Sequence, residues 1–138
     1  MKLIFCVLTF FVILTGCNLN SNYNSEEHEL NVIRKGAVIK VKPEKFDFYK
    51  RLHANPSPGV NEKLKECNIR NYSIYYREGF LFSYMEYTGK NWEEDMKKLA
   101  ADSTIQEWWK LTDPCQEPVS FAKDNEWWAD LEEIYHLD

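Results

Sequence analysis

Two alternating segments joined by a short turn constrain the fold of this chain more than any other feature. Residues 71–77 and 80–87 are rich in tyrosine and phenylalanine, and only Glu78 and Gly79 separate them. Aromatic and β-branched residues in alternation are typical of strands, and a two-residue connection that contains glycine is typical of a hairpin. The chain is therefore predicted to contain an antiparallel sheet built around this pair of strands.

The segments before and after the hairpin supply the rest of a compact α+β domain. Hydrophobic periodicity predicts strands at residues 32–42 and 131–137, and helices at residues 44–53, 60–67, 91–101 and 104–111. A loop is predicted from Pro114 to about residue 125. The resulting order, β-α-β-β-α-β, is the split βαβ arrangement of a ferredoxin-like fold. Helices on one face leave the other sheet face aromatic and uncovered, which predicts a pocket, a dimer interface or both, as in a dimeric α+β barrel.

The N-terminal residues have the pattern of a bacterial lipoprotein signal rather than of a folded segment. Lys2 is followed by an apolar run over residues 3–14, and the small residue Gly16 comes directly before Cys17. Residues 1–16 are predicted to be a signal peptide and Cys17 the acylated residue, since the run is too short to span a bilayer comfortably. An ordinary signal peptide with a coincidental cysteine is the alternative.

The predicted signal peptide also sets the domain boundaries and the expected location of the protein. Residues 17–31 are rich in Asn, Ser and Glu, a composition that predicts a flexible tether. Residues 32–138 are sufficient for one domain. We therefore expect a lipid-anchored protein of the bacterial cell envelope, in the periplasm or at the outer membrane.

Charge and cysteine content exclude several classes of partner. The formal net charge is −5 and no basic cluster is present, which argues against nucleic acid binding and against electrostatic attachment to membranes. Cys67 and Cys115 have no neighbouring cysteine or histidine at zinc-ligand spacing, so no metal site is predicted. They are expected to be small buried residues, and a disulfide between them stays open because sequence does not give their separation.

The first candidate for chemistry is the pair Tyr49 and His53. Residues four positions apart lie on the same face of a helix, and the loop after His53 contains Pro56, Pro58 and Gly59, which end that helix. A phenol beside an imidazole can bind a polyol and move a proton near neutral pH, where only histidine normally titrates. The alternative is that the two side chains simply cap an amphipathic helix.

Two pairs of tryptophans provide further candidates. Trp108 and Trp109 are adjacent on a predicted helix, so their side chains point about 100° apart and one can line a cavity while the other enters the core. Indole rings stack on sugar faces and donate a hydrogen bond, although such pairs also serve simply to fill a core. Trp127 and Trp128 lie in a predicted loop and are expected to pack over one end of the barrel.

Taken together and in order, these residues resemble the L-rhamnose mutarotase family over nearly the whole domain. The segments that carry the resemblance are Ile33-Arg34-Lys35, Tyr49-x-x-x-His53, Asn71-Tyr72-x-Ile74-Tyr75, Leu81-Phe82 with Glu86, Gln106-x-Trp108-Trp109-Lys110 with Thr112-Asp113, and Glu133-Ile134-Tyr135. No single segment is specific, but the ordered set is. The resemblance implies a dimeric α+β barrel, which agrees with the predicted order of elements.

The resemblance also implies an activity and a set of site residues. It implies an isomerase that interconverts the α and β anomers of a 6-deoxyhexose, most closely L-rhamnose, without a cofactor and as a homodimer. By motif, His53 would be the acid/base, while Tyr49, Tyr72, Trp108 and Trp109 would bind the sugar.

One position departs from the family pattern and keeps other functions open. Many members have a tryptophan in the loop after the histidine, where this chain has Ser57. The lost stacking surface leaves an L-fucose mutarotase, or a lipid-anchored protein that binds sugar without turnover, as alternatives. A different enzyme on the same barrel, such as a cofactor-independent oxygenase, is a third, because one fold hosts many chemistries.

Overall fold

The computed structural model describes residues 32–137 of the chain. The predicted signal peptide, the predicted tether over residues 17–31 and the predicted acylation site Cys17 lie outside these residues. The elements are β1 (Ile33–Val41), a 3-10 turn (Pro43–Lys45), α1 (Phe46–Ala54), α2 (Val60–Glu66), β2 (Ile69–Arg77), β3 (Phe80–Tyr87), α3 (Trp92–Ala101), α4 (Ser103–Thr112), a second 3-10 turn (Asp113–Cys115), β4 (Gln116–Glu117) and β5 (Ala129–Leu131). Over this part of the chain, none of the helices is long and apolar enough to cross a membrane.

The sheet has the strand order that a split βαβ arrangement requires. Its path is β2-β3-β1-β4, and β5 pairs with the same edge of β1 as β4 does. β1 and β2 are each antiparallel to β3, so they run parallel to one another with β3 inserted between them. The predicted α+β class and ferredoxin-like topology are confirmed.

The turn between β2 and β3 explains the tight hairpin. Glu78 and Gly79 have φ angles of 49° and 85°, so both central residues adopt positive φ. A two-residue turn with both angles positive matches the right-handed twist of the flanking strands, and glycine adopts this conformation without steric cost. The hairpin predicted from the sequence is confirmed, with strand register Arg77 opposite Phe80.

An irregularity in β2 decides which of its side chains face the helices. The register shifts between Arg70 and Ser73, and Asn71 within the shift has a φ of 46°. Because a bulge adds one residue to one strand, it reverses the alternation of side chains beyond it. Ile69 before the bulge and Tyr72 after it therefore both face the helix layer. Asparagine tolerates positive φ, and the Asn71 amide donates a hydrogen bond to Glu86 on the opposite face.

The hydrophobic core lies between the helices and one face of the sheet, and its apolar residues form two main clusters. The first comprises Val60, Cys67, Ile69, Leu99, Ile105 and Trp108, and the second comprises Ile39, Val41, Tyr49, Leu81 and Cys115. A smaller cluster of Val38, Val119 and Ala129 lies where the loop before β5 covers the other face. Burial of one sheet face by helices supplies the main stabilisation of such a layered domain.

The C-terminal part of the sheet differs from the prediction. A strand over residues 131–137 is wrong: β5 is Ala129–Leu131, and the residues after it have no regular secondary structure. The predicted loop after Pro114 contains the short strand β4. The edge of β1 is divided between β4 and β5, which leaves no single long edge for one C-terminal strand. The apolar side chains of Ile134 and Tyr135 are 90% and 77% exposed.

A buried polar network ties the end of β3 to the start of α3. The Tyr87 hydroxyl, which is fully buried, donates to Asp95 Oδ2 at 2.7 Å, and Asn68 Nδ2 donates to the same oxygen at 2.8 Å. The Asn91 backbone N–H donates to the Tyr87 hydroxyl at 3.0 Å. The Asn68 hydrogen bond, followed by that of Tyr87, lowers the pKa of Asp95 below its usual value.

This network predicts that Gly89 tolerates no side chain. A Cβ atom at Gly89 would collide with the Tyr87 hydroxyl and displace it from Asp95. We expect Gly89→Ala to lower the free energy of unfolding by about 2 kcal/mol, as overpacking at a buried site does. Gly36→Ala is the matched control, since its Cβ would make only ordinary contacts with Leu131. Chemical denaturation measures both, and equal stability of the two variants would contradict the prediction.

Candidate active site

A cavity of about 1100 Å³ lies between the helix layer and the inner face of the sheet. Binding pockets for small molecules commonly have volumes of about 300–1,000 Å³, so the cavity is large enough for a monosaccharide. Its walls include all five residues that the sequence singled out: Tyr49, His53, Tyr72, Trp108 and Trp109. These residues come from α1, β2 and α4, and the fold brings them together at one site.

Tyr49 and His53 lie against each other on α1. Their ring centroids are 4.1 Å apart with an interplanar angle of 32°, which agrees with the predicted helix spacing. His53 Nδ1 lies 3.0 Å from the backbone carbonyl oxygen of Tyr49. A carbonyl oxygen only accepts hydrogen bonds, so Nδ1 carries the ring proton and Nε2 keeps a free lone pair. The geometry thus selects one tautomer of His53.

The surroundings of His53 favour its neutral form. Burial lowers the pKa of His53 below 6.5, and the hydrogen bond to the Tyr49 carbonyl only partly opposes this effect. An imidazole that is neutral at physiological pH, with an accessible Nε2 lone pair, can take a proton from a hydroxyl group. The site therefore contains a side chain that is chemically able to act as a general base.

The tryptophan pair divides its rings between core and cavity. Trp108 is 8% exposed and packs in the core cluster with Val60 and Ile105. Its ring meets the His53 ring in a T-shaped contact with a centroid distance of 5.1 Å. Trp109 is 37% exposed and also lines the cavity. Trp108 therefore has a packing role as well as a place in the cavity wall, and Trp109 offers a more accessible indole surface.

A hydrogen-bonded chain connects Tyr49 to two residues that sequence reasoning did not assign to the site. Tyr49 is 4% exposed, and its hydroxyl accepts a hydrogen bond from Gln116 Nε2 at 3.2 Å. Gln116 Oε1 accepts one from Trp127 Nε1, also at 3.2 Å. Burial raises the pKa of Tyr49 far above its usual value, so the hydroxyl stays protonated. Gln116 and Trp127 both line the cavity.

Tyr72 and Asp113 add polar groups to the wall. The bulge in β2 turns Tyr72 toward the cavity, where removal from solvent raises the pKa of its hydroxyl. Asp113 opens the second 3-10 turn and also lines the cavity. Partial removal from solvent raises the pKa of its carboxyl group, and a hydrogen bond with Thr112 opposes that effect. The cavity wall thus contains tyrosine hydroxyls and the Asp113 carboxyl group in addition to the histidine.

Three of these residues were missed by sequence reasoning for different reasons. Gln116 lies in a segment predicted to be a loop, and nothing in its sequence surroundings marks it. Trp127 and Trp128 were expected to pack over one end of the barrel; both line the cavity, and Trp128 also packs against the core cluster of Ile39. Asp113 was noticed only as part of a family-like segment, and its place after the tryptophan helix was the available signal.

The cysteines and the possible metal ligands of residues 32–137 are dispersed rather than grouped. Cys67 and Cys115 are free thiols, each buried in a different hydrophobic cluster, so the disulfide that the sequence left open is not formed. Among residues 32–137, no three His, Cys, Asp or Glu side chains are grouped so that they could hold a metal ion.

Comparison with solved structures supports the topology. An L-rhamnose mutarotase from Formosa agariphila, FA22100, aligns with a TM-score of 0.61 at 20% identity, over 77% of this chain and 99% of that chain. The tetracenomycin F2 cyclase of Streptomyces glaucescens aligns with a TM-score of 0.57 at 13% identity, over 77% of this chain and 97% of that chain. At such identities the likeness shows the fold alone, and the two proteins are named as different enzymes.

Sequence comparison is more specific than structural likeness. A family model described as L-rhamnose mutarotase matches residues 34–137. The chain is 35% identical over 107 residues to the L-rhamnose mutarotase of Oceanobacillus iheyensis, which covers 76% of this chain and 98% of that protein. The L-rhamnose mutarotase of Bacillus subtilis is 33% identical over 107 residues, with the same coverage of 76% and 98%. The chain belongs to the L-rhamnose mutarotase family.

Proposed function

We propose that this protein is an aldose mutarotase that interconverts the α and β anomers of a 6-deoxyhexose, with L-rhamnose as the first candidate. The observation that carries the proposal is the neutral His53 with a free Nε2 lone pair, set in a cavity walled by aromatic side chains. Relatives that match nearly end to end are named L-rhamnose mutarotases, which supports the same sugar class for this chain.

The reaction needs proton transfer and no redox chemistry. His53 Nε2 takes the proton of the anomeric hydroxyl, the bond between the anomeric carbon and the ring oxygen breaks, and the ring oxygen receives the proton. Rotation of the resulting aldehyde followed by the reverse transfers gives the other anomer. A well-placed general acid/base contributes about 10²–10⁴-fold to such a step, and positioning contributes more.

The other wall residues have roles that fit the same substrate. The hydroxyls of Tyr49 and Tyr72 can orient sugar hydroxyl groups, since both are protonated donors and acceptors. Trp109 and Trp108 can face the C–H surface of the sugar ring. A 6-deoxyhexose carries a methyl group, which gains from contact with the apolar side chains of the cavity.

The proposal predicts that His53→Ala abolishes the acceleration of anomer exchange. Saturation-transfer NMR on the full chain in a mild detergent would measure this, by irradiating one anomeric proton of L-rhamnose and then of L-fucose. We expect a loss of about 100-fold or more, the share of a general acid/base. Arg51→Ala, an exposed change on the same helix, is the control and should leave the rate unchanged. Near wild-type exchange in His53→Ala with the fold intact would contradict the assignment of His53.

The same measurement separates the remaining alternatives. Faster exchange for L-fucose than for L-rhamnose would indicate an L-fucose mutarotase. Ligand signals without exchange would indicate a protein that binds sugar without turnover, the possibility that Ser57 raised.

The pH dependence of this rate follows from the lowered pKa of His53. The active form is the neutral imidazole, so activity falls as pH decreases through the pKa of His53. Because burial sets that pKa below 6.5, we expect the midpoint of this decline to lie below pH 6.5. A midpoint above pH 6.5 would contradict the neutral, buried environment described for this side chain.

We also propose that the protein is a homodimer that pairs through the outer face of its sheet. Tyr75 and Phe82 are cross-strand partners on that face, 63% and 38% exposed. The C-terminal residues Ile134 and Leu137 are 90% and 77% exposed. Exposed apolar side chains in such number are typical of an interface, and a second copy would cover those on the sheet face.

The dimer proposal predicts a change of mass on substitution of the sheet face. Tyr75→Lys introduces a charge into the proposed interface and should convert a dimer to a monomer in sedimentation velocity runs at low micromolar concentration. Leu111→Lys, at an exposed position on α4, is the matched control and should stay dimeric. A wild-type protein that sediments as a monomer would contradict the proposal.

We propose, finally, that Cys17 is acylated and anchors the protein in a bacterial cell envelope, with residues 17–31 as the tether. The support is the sequence pattern alone: an apolar run followed by Gly16 and Cys17. Expression in a bacterial host with a clickable fatty acid should label the wild type in the membrane fraction. Cys17→Ala should abolish the label, while Cys67→Ala should not; an unlabelled wild type would contradict the proposal.

A further inference from the structure

The chain formed by Tyr49, Gln116 and Trp127 has a fixed direction that can be read from its chemistry. An indole N–H only donates, so the Gln116 atom that faces Trp127 Nε1 must be the amide oxygen. The other end of the same amide, facing the Tyr49 hydroxyl, is therefore the NH₂ group, which only donates. The Tyr49 oxygen accepts this bond, and the hydroxyl hydrogen is left to point elsewhere.

The surroundings of the amide hold this arrangement in place. Gln116 is 4% exposed and belongs to β4, paired in register with Val41 of β1. A buried amide in an ordered strand, with both polar ends hydrogen-bonded, cannot rotate by 180° without losing both bonds. Trp127 thus acts as the reference that orients Gln116, and Gln116 in turn orients Tyr49.

We propose that Gln116 is a positioning residue that fixes Tyr49 as a hydrogen-bond donor toward the ring oxygen of the sugar, while His53 accepts from the anomeric hydroxyl. The proposal rests on the mutarotase function given above. A pyranose ring oxygen carries no hydrogen and can only accept, whereas the anomeric hydroxyl can donate. The adjacent rings of Tyr49 and His53, 4.1 Å apart, present one donor and one acceptor side by side, matched to these two oxygens.

The Tyr49 hydroxyl would donate to the ring oxygen of the sugar, the atom on which negative charge develops. When the bond between the anomeric carbon and the ring oxygen breaks, negative charge grows on the ring oxygen until it receives the proton that His53 took from the anomeric oxygen. A preorganised O–H donor stabilises that charge without itself losing its proton. Trp127, 43% exposed and lining the cavity, becomes a third indole wall held in place by the same chain.

The variant Gln116→Glu tests the direction of the chain with almost no change of shape. A carboxylate accepts from both neighbours, so it would turn the Tyr49 hydrogen away from the cavity. We expect turnover to fall about 100-fold at neutral pH, at the lower end of the range seen on loss of one preorganised donor, with less effect on KM. Protonation of the introduced carboxylate gives it one donor and one acceptor again, so the activity of the variant relative to wild type should recover as pH falls.

The ratio of variant to wild-type turnover removes the influence of other titrating groups. The ionisable side chains near this chain are His53 on α1, Tyr72 on β2, and Asp113 and Cys115 on the turn before β4. They are the same in both proteins, so their titrations largely cancel in the ratio. Gln106→Glu, at an exposed position on α4, is the matched control and should give a ratio near one at every pH.

The outcomes separate this proposal from the proposed function. Suppose that the wild type is active and that the ratio of Gln116→Glu turnover to wild-type turnover is near one, or is low but does not change with pH. Either result would overturn the positioning role of Gln116 and leave the proposed function standing. A wild type that exchanges no 6-deoxy sugar would contradict the proposed function and this proposal with it.

If Gln116→Glu fails to fold, Trp127→Phe takes its place: it keeps an aromatic ring, removes the N–H that orients Gln116, and should lower turnover severalfold. Unchanged turnover in that variant would also overturn the proposal.

Discussion

Burial of one face of the sheet is the constraint on which the rest of this structure depends. The helices that cover that face are short, and they leave a cavity between α1, α4 and β2 instead of a continuous core. The bulge at Asn71 keeps both Ile69 and Tyr72 on the covered face, so the same strand supplies a core residue and a cavity residue. Incomplete coverage by the helices thus creates the site, and the strand irregularity furnishes part of its wall.

The chemistry of the site depends on hydrogen bonds that set the direction of two protons. The carbonyl of Tyr49 holds the proton of His53 on Nδ1, and the amide of Gln116 donates to the hydroxyl of Tyr49. Each bond leaves one function of the ring free of that contact, an acceptor lone pair on His53 and the O–H donor on Tyr49. A single turn of α1 therefore presents complementary groups to a substrate that must lose a proton at one oxygen and gain one at another.

The parts of the fold and site that sequence predicted are those that depend on local pattern. The hairpin follows from alternation and from Glu78-Gly79, and the contact of Tyr49 with His53 follows from helix spacing. The two-residue strand β4 has no periodicity to detect, and the end of β5 depends on how the edge of β1 is shared. The bond between Tyr49 and Gln116 joins residues 67 positions apart, which spacing alone does not reveal.

The tautomer of His53 and its contact with sugar can be measured most directly by ¹⁵N NMR of the imidazole ring. At neutral pH we predict a protonated Nδ1 and an unprotonated Nε2, and addition of L-rhamnose should shift the Nε2 resonance more than the Nδ1 resonance. The two ring resonances of His53 can be assigned directly, because His53→Ala removes them from the spectrum. A protonated Nε2, or ring resonances that do not respond to sugar, would contradict the role of His53 as the base that faces the substrate.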